Sequence, residues 1–155
     1  MKKFKFSLAR VKDYKNLVLE REKTALGRLQ DAKNRLEKRM DDVRDKSCRL
    51  DQELKEKTAK GVKVAEIQSY RFQIDGLNKL MENLRKEHER MKRQIEEQMQ
   101  KVIAAKKEVS GMEKLEEKQL ALYKQEMSEA ERREIAEFVE TRVSAQLREE
   151  EDVPQ

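Results

Sequence analysis

Between Ile67 and Ile95, apolar residues recur at steps of three and four without a break. The series is Ile67, Tyr70, Ile74, Leu77, Met81, Leu84, His88, Met91 and Ile95, and His88 is its only strongly polar member. Alternating steps of three and four average to the 3.5-residue period of a coiled coil, which gives a helix one narrow apolar seam. Such a helix cannot stand alone in water, so this one must zip against another. The series continues through Val102, Ala105, Val109 and Met112, with Gln98 where an apolar residue is due. Past Gly111 the register loosens over Leu115, Leu120, Leu122, Tyr123 and Met127, and a last periodic patch follows in Ile135, Phe138, Val139, Val143 and Leu147.

The partner helix lies earlier in the chain. Its expected seam reads Val11, Tyr14, Val18, Ala25, Leu29, Ala32, Leu36, Met40, Val43, Ser47, Leu50 and Leu54. Read this way it slips between Val18 and Leu29 and again between Leu36 and Met40. A slip of that kind is a stutter, which unwinds a supercoil locally without breaking the helix. Ser7 is the expected N-cap, because its hydroxyl can accept a bond from an orphan backbone N–H. Both seams lapse around Thr58–Gly61, and a glycine there supplies the left-handed cap that ends a helix and reverses the chain. These signals predict an all-α fold, a long two-helix antiparallel coiled-coil hairpin spanning residues 1–155 as a single elongated unit. Helix 1 is expected over about 7–58, the turn over about 59–63, helix 2 over about 64–147 and a frayed acidic tail over 148–155. At 1.5 Å per residue, the first helix is about 75 Å long and the second on the order of 100 Å.

Composition agrees with this reading. Charged residues make up 45% of the chain and hydrophobic ones 36%, with four glycines, one proline and no tryptophan. A compact globular core needs more apolar residues and more turn formers. The apolar residues are periodic rather than merely scarce, so the chain does not read as disordered. Its charge is uneven: net +8 over residues 1–60, +2 over 61–128 and −5 over 129–155. A basic arm and an acidic tail suit side-by-side packing in a hairpin, or oppositely charged partners. Cys48 has no second cysteine to pair with, which fits a reducing compartment. The basic N-terminus is not followed by the apolar stretch of a secretory signal, and no run approaches the roughly 20 apolar residues of a membrane span. The expectation is a soluble, cytoplasmic protein.

Chemistry has little to stand on. The sequence lacks the glycine-rich phosphate loops GxxxxGK[ST] and GxGxxG. Its carboxylates alternate with Lys and Arg at helical spacing, as on a solvated face. No catalytic residue, metal ligand set, cofactor or small-molecule substrate is therefore expected, and the chain reads as a non-enzyme. His88, the one histidine, mirrors Asn34 about Gly61, and Asn34 or Asp31 is its expected hydrogen-bond partner. It reads as a polar residue that sets register in the seam.

Apolar residues off the seam point outward. Phe72, Gly76 and Leu80 sit four apart on one face, opposite Leu50, Lys46 and Asp42 by the same mirror. They either widen the seam or offer a notch to a partner. Phe4, Phe6, Leu8, Val11 and Leu17, with Lys2, Lys3, Lys5, Arg10, Lys12 and Lys15 around them, mark the open end of the hairpin, near Phe138, Val139 and Val143. That end either buries itself or enters a socket in an acidic partner. Nucleic acid is a poor fit, because acidic residues are interleaved and no base-stacking aromatic array is present.

The opening Phe4-Lys-Phe6-Ser-Leu8-Ala-Arg-Val11-Lys-Asp-Tyr14-Lys15 resembles the start of the FliJ family, small coiled-coil components of the flagellar type III export apparatus. Ala105-Lys106-Lys107-Glu108-Val109, Met112-Glu113-Lys114-Leu115-Glu116-Glu117-Lys118 and the acidic Glu126, Glu131, Glu134-Ile135-Ala136-Glu137 are similar to its later stretches. The resemblance implies a stalk-like coupling subunit that binds the hexameric export ATPase, the membrane-bound export gate and export chaperones, at the inner face of the cell membrane. The residues it assigns to the ATPase are Phe4, Phe6, Leu8, Val11, Ile135 and Phe138. Those it assigns to the gate are Phe72, Gly76 and Leu80. A general coiled-coil chaperone or scaffold is the alternative, with a basic coiled-coil nucleic-acid binder behind it.

Overall fold

The computed structural model describes residues 3–151. The fold is an all-α hairpin of two helices, α1 over Ala9–Lys60 and α2 over Val64–Glu151, and the described residues contain no strand. Residues 152–155 of the expected acidic tail, and Lys2 of the expected basic cluster, lie outside the described residues. The reversal occupies the three residues between the helices. Gly61 takes φ +84°, a left-handed conformation that costs an L side chain but not glycine. Its N–H reaches the Thr58 carbonyl at 3.4 Å. Lys57 and Lys60 sit in the last turn of α1 and Glu66 in the first turn of α2, each favourable toward the local helix dipole. Ser7 is not the N-cap of α1. Its hydroxyl turns toward Gln119 Oε1 at 3.4 Å, and the Leu8 carbonyl accepts the first helical bond, from Lys12.

The chain forms two compact units, residues 16–107 and residues 1–15 with 108–155. In the first, the antiparallel direction is visible in the cross-helix pairs. Glu53 meets Tyr70, Glu37 meets His88 and Glu22 meets Gln98, so partners on α2 rise as those on α1 fall. Its apolar centre is Leu36, Val43, Met81 and Leu84, with Met40, Leu77, Leu80 and Met91 packed on it. Leu84, 2% exposed, is the most deeply buried side chain there.

The seam of α1 differs from its expected course. The inward column of this unit is Leu19, Glu22, Leu26, Leu29, Lys33, Leu36, Met40, Val43, Ser47, Leu50 and Leu54, all buried or half-buried, at strictly alternating steps of three and four. No stutter is present. The apparent slips arise because Leu19 and Leu26, rather than the adjacent Val18 and Ala25, stand in the column, and because Glu22 and Lys33 occupy seam positions, with Ala32 beside Lys33. Long charged side chains fill such positions by burying their stems and keeping their heads in water. On α2 the column runs Ile67 to Ala105 as expected, with Gln98 buried in it.

In the second unit α1 contributes Leu8, Lys12 and Lys15, and α2 contributes Val109, Met112, Glu116, Gln119 and Tyr123. The register does not loosen past Gly111. The same steps continue, but through polar residues, while Leu115 and Leu122 fall outside them and are exposed. Val11 and Tyr14, expected in the seam, are exposed as well. The segment before α1 folds onto α2: Phe6 is buried, and the Phe4 ring meets Tyr123 at 5.6 Å with the planes tilted by 50°.

Two glycine substitutions separate backbone conformation from packing. Gly61→Ala meets no atom within 4 Å, so its cost is the left-handed φ alone, about 1 kcal/mol. Gly27→Ala, inside α1 and also free of neighbours within 4 Å, should stabilise by about 0.5–1 kcal/mol. Urea unfolding followed by circular dichroism should give these opposite signs.

Candidate functional site: partner surfaces on a polar-pinned helix pair

The described residues hold no group of three or more His, Cys, Asp or Glu side chains placed to bind a metal. Their surface concavities are open grooves between neighbouring side chains, such as the one on α2 lined by Glu82, Lys86, Arg90 and Arg93. The features with functional content are the polar residues inside the seam and the apolar residues outside it.

Every charged seam residue has a partner. Lys12 bonds Glu116, and Lys15 meets Glu108 at 2.7 Å. The hydrogen bond to the Glu116 carboxylate raises Lys12 above its ordinary 10.5, against the opposing effect of desolvation. Gln98 donates through its amide to the Glu22 carboxylate and to the Glu22 main-chain oxygen at 3.0 Å. His88 does not face Asn34 or Asp31, which are exposed. Its Nε2 lies 2.9 Å from Glu37 Oε1, and Lys33 approaches the same oxygen at 3.7 Å. The reversal is centred on Val62 rather than Gly61, which moves every mirror position and brings the next turn of α1 opposite His88. A carboxylate only accepts, so Nε2 carries the proton. That bond is the main cause holding the Glu37 carboxyl below its ordinary 4.5, with Lys33 adding to it.

The residues expected at the open end separate into two groups. Phe6 is buried, Phe4 is half-buried on Tyr123, Leu8 is half-buried and Val11 is 39% exposed. Ile135 and Phe138 are 64% and 60% exposed. Ile135 follows Tyr123 by twelve residues along the same helix, about 18 Å, so the two groups do not meet. Val139, Val143 and Leu147 join Ile135 and Phe138 on the exposed stretch, and the Arg142 guanidinium lies 5.3 Å from the Phe138 ring centre.

The second set also divides. Phe72 is 82% exposed, and Gly76 beside it faces open space. Leu80 turns inward onto the Leu36–Leu84 cluster. It does not stand opposite Asp42 on an outer face, because its position lies next to the seam column. The outward surface is therefore Phe72 and Gly76, with Leu80 supporting it from below. Tyr123, which anchors Phe4, stands in the α2 heptad at position 123. Extending the spacing through the polar Glu116 and Gln119 would have found it.

Residues 4–148 of the 155 match the family model described as Flagellar FliJ protein. No curated protein and no solved structure matches the chain.

The Glu37–His88 pair sets an acid dependence whose sign follows from Glu37. Its folded value lies below the ordinary 4.5, so its share of stability is complete above that pH and is lost as pH falls through the depressed value. Glu37→Gln should destabilise the hairpin at pH 7, and the difference from the parent should shrink steadily below about pH 4.5, as read from urea midpoints across a pH series.

Proposed function

The chain belongs to the FliJ family, which gives it a role in flagellar protein export, and we propose that it serves there as a non-catalytic stalk that couples the export ATPase to the export gate. The observation that carries the reading is the apolar surface left uncovered on α2 from Ile135 onward. A helix that keeps Ile135 and Phe138 in water is supplied with the anchors of a protein–protein contact, since buried aromatic and aliphatic residues dominate such interfaces. In this reading the ATPase ring receives that stretch together with the N-terminal end of the hairpin, where Val11 is exposed, Phe4 and Leu8 are half-buried and the buried Phe6 holds the segment in place. Phe72 and Gly76, supported by Leu80, meet the gate protein, and export chaperones deliver cargo to the same assembly.

A stalk requires stiffness and register more than chemistry. Two long helices pinned by paired polar residues transmit a push or a rotation without slipping, which a loop-rich fold does not. No helix among the described residues is long and apolar enough to cross a membrane, so attachment at the membrane would pass through the gate protein. A general chaperone or scaffold would instead hold unrelated unfolded chains along the exposed apolar residues and leave the ATPase unaffected.

The point variants that separate these readings replace exposed side chains and leave the fold alone. Ile135→Ala with Phe138→Ala should weaken capture of the export ATPase by at least about tenfold and remove stimulation of its hydrolysis, because both side chains are exposed and hold nothing in place. Phe72→Ala should spare ATPase capture and weaken capture of the gate protein. Removing Met1–Val11 should abolish ATPase binding, together with the Phe4–Tyr123 contact. Unchanged capture and stimulation in the Ile135/Phe138 variant, alongside binding of unrelated unfolded proteins, would favour the scaffold.

A further inference from the structure

Residues 128–151 of α2 are all exposed, yet they carry Ile135, Val139, Val143 and Leu147 at uniform steps of four. With 3.6 residues per turn, steps of four drift slowly, so the four side chains form one stripe about 120° wide. Arg132 and Glu150 fall on the midline of the same stripe, one beyond each end. Neither lies within ion-pair distance of any described residue. The stripe is thus apolar in the middle, cationic at one end and anionic at the other.

We propose that this stripe pairs with the same stripe of a second copy of the chain, antiparallel, about a twofold axis at the level of Thr141. An interface between identical chains with twofold symmetry must be self-complementary. In this register Ile135 meets Leu147 of the partner subunit, Val139 meets Val143 of the partner subunit, and Arg132 meets Glu150 of the partner subunit. Each contact occurs twice. A parallel pairing sets Arg132 against its own copy and Glu150 against its own copy, so the two charges on the midline, where the helices are closest, favour the antiparallel form. Uniform steps of four are the ridges that interdigitate when two helices cross at about −50°. The register also sets Glu140 beside its own copy on one flank and Arg142 beside its own copy on the other, which keeps the dimer weak and reversible. The inference goes beyond the partner reading above and does not rest on it. Ile135 enters both contacts, so the homodimer is a form that the ATPase contact has to open.

Sedimentation equilibrium of the full-length chain over a concentration range tests it. The parent should pass from monomer to dimer as concentration rises. Arg132→Glu or Glu150→Arg alone should raise the dissociation constant by about tenfold or more, and the two together should return it close to the parent value, since the charges are then exchanged rather than removed. Val139→Asp should leave a monomer of unchanged helix content by circular dichroism. A parent that stays monomeric at every accessible concentration, or a double variant that fails to recover, overturns the proposal. The measurement contains no ATPase, so its result is separate from that of the capture assay.

Discussion

The fold depends on the inward columns of two helices keeping their alternating steps of three and four while much of what they bury is polar. A purely apolar seam lets two helices slide by a heptad at modest cost, because each apolar layer accepts any other. A polar side chain placed in the seam does not allow that, since a displaced partner leaves a desolvated charge or amide unpaired. Here Glu22 with Gln98, Glu37 with His88, Lys15 with Glu108 and Lys12 with Glu116 each hold the alignment at a different level. An apolar cluster on the turn side of the Glu37–His88 pair, Leu36, Val43, Met81 and Leu84, supplies cohesion that the polar layers forgo. Most of these ion pairs are partly open to solvent, where each contributes little to stability. Their value lies in making every other register worse.

Much of this was legible in the residues, and the part that was not has a common cause. The α2 seam from Ile67 to Ile95 shows itself because its layers are apolar, and Gly61 shows itself because both seams lapse around it. The α1 seam is hidden from an apolar pattern where Glu22 and Lys33 stand in it. Val18 and Ala25 stand beside the equally apolar Leu19 and Leu26, so apolarity alone does not choose between them, and with Ala32 taken for Lys33 the series acquires stutters that the helix does not contain. The apparent loosening past Gly111 has the same origin, because Glu116 and Gln119 carry the heptad to Tyr123. In a chain with 45% charged residues, the stems of Lys and Glu are part of the apolar seam. A count that scores them as polar undercounts the core.

The candidate contact residues were harder to place, because composition does not say which way an off-seam apolar residue turns. Phe72 and Leu80 are eight residues apart and looked equivalent. Eight residues are 800° of helix, or 80° past two full turns, enough to carry Leu80 to the seam's edge while Phe72 stays on the outside. Phe4 and Phe6 were equally ambiguous before Tyr123 was recognised as a seam position able to receive them. Burial there is self-burial, which makes the N-terminal aromatics part of the hairpin's own closure.

The unequal helix lengths then decide where unsatisfied apolar surface has to appear. α2 has 88 residues against 52 in α1, and α1 together with the segment before it is used up at Tyr123. From residue 128 to 151 every residue of α2 is exposed, and an unpartnered helix in water gains nothing from apolar side chains. Solubility alone would favour a polar surface all round, as the neighbouring Glu131, Glu134, Glu137 and Glu140 supply on the flanks. Ile135, Phe138, Val139, Val143 and Leu147 are retained against that preference. In the proposed reading these residues, costly to the isolated chain and outside its own packing, serve an interface with another molecule, which stays available while the hairpin remains closed.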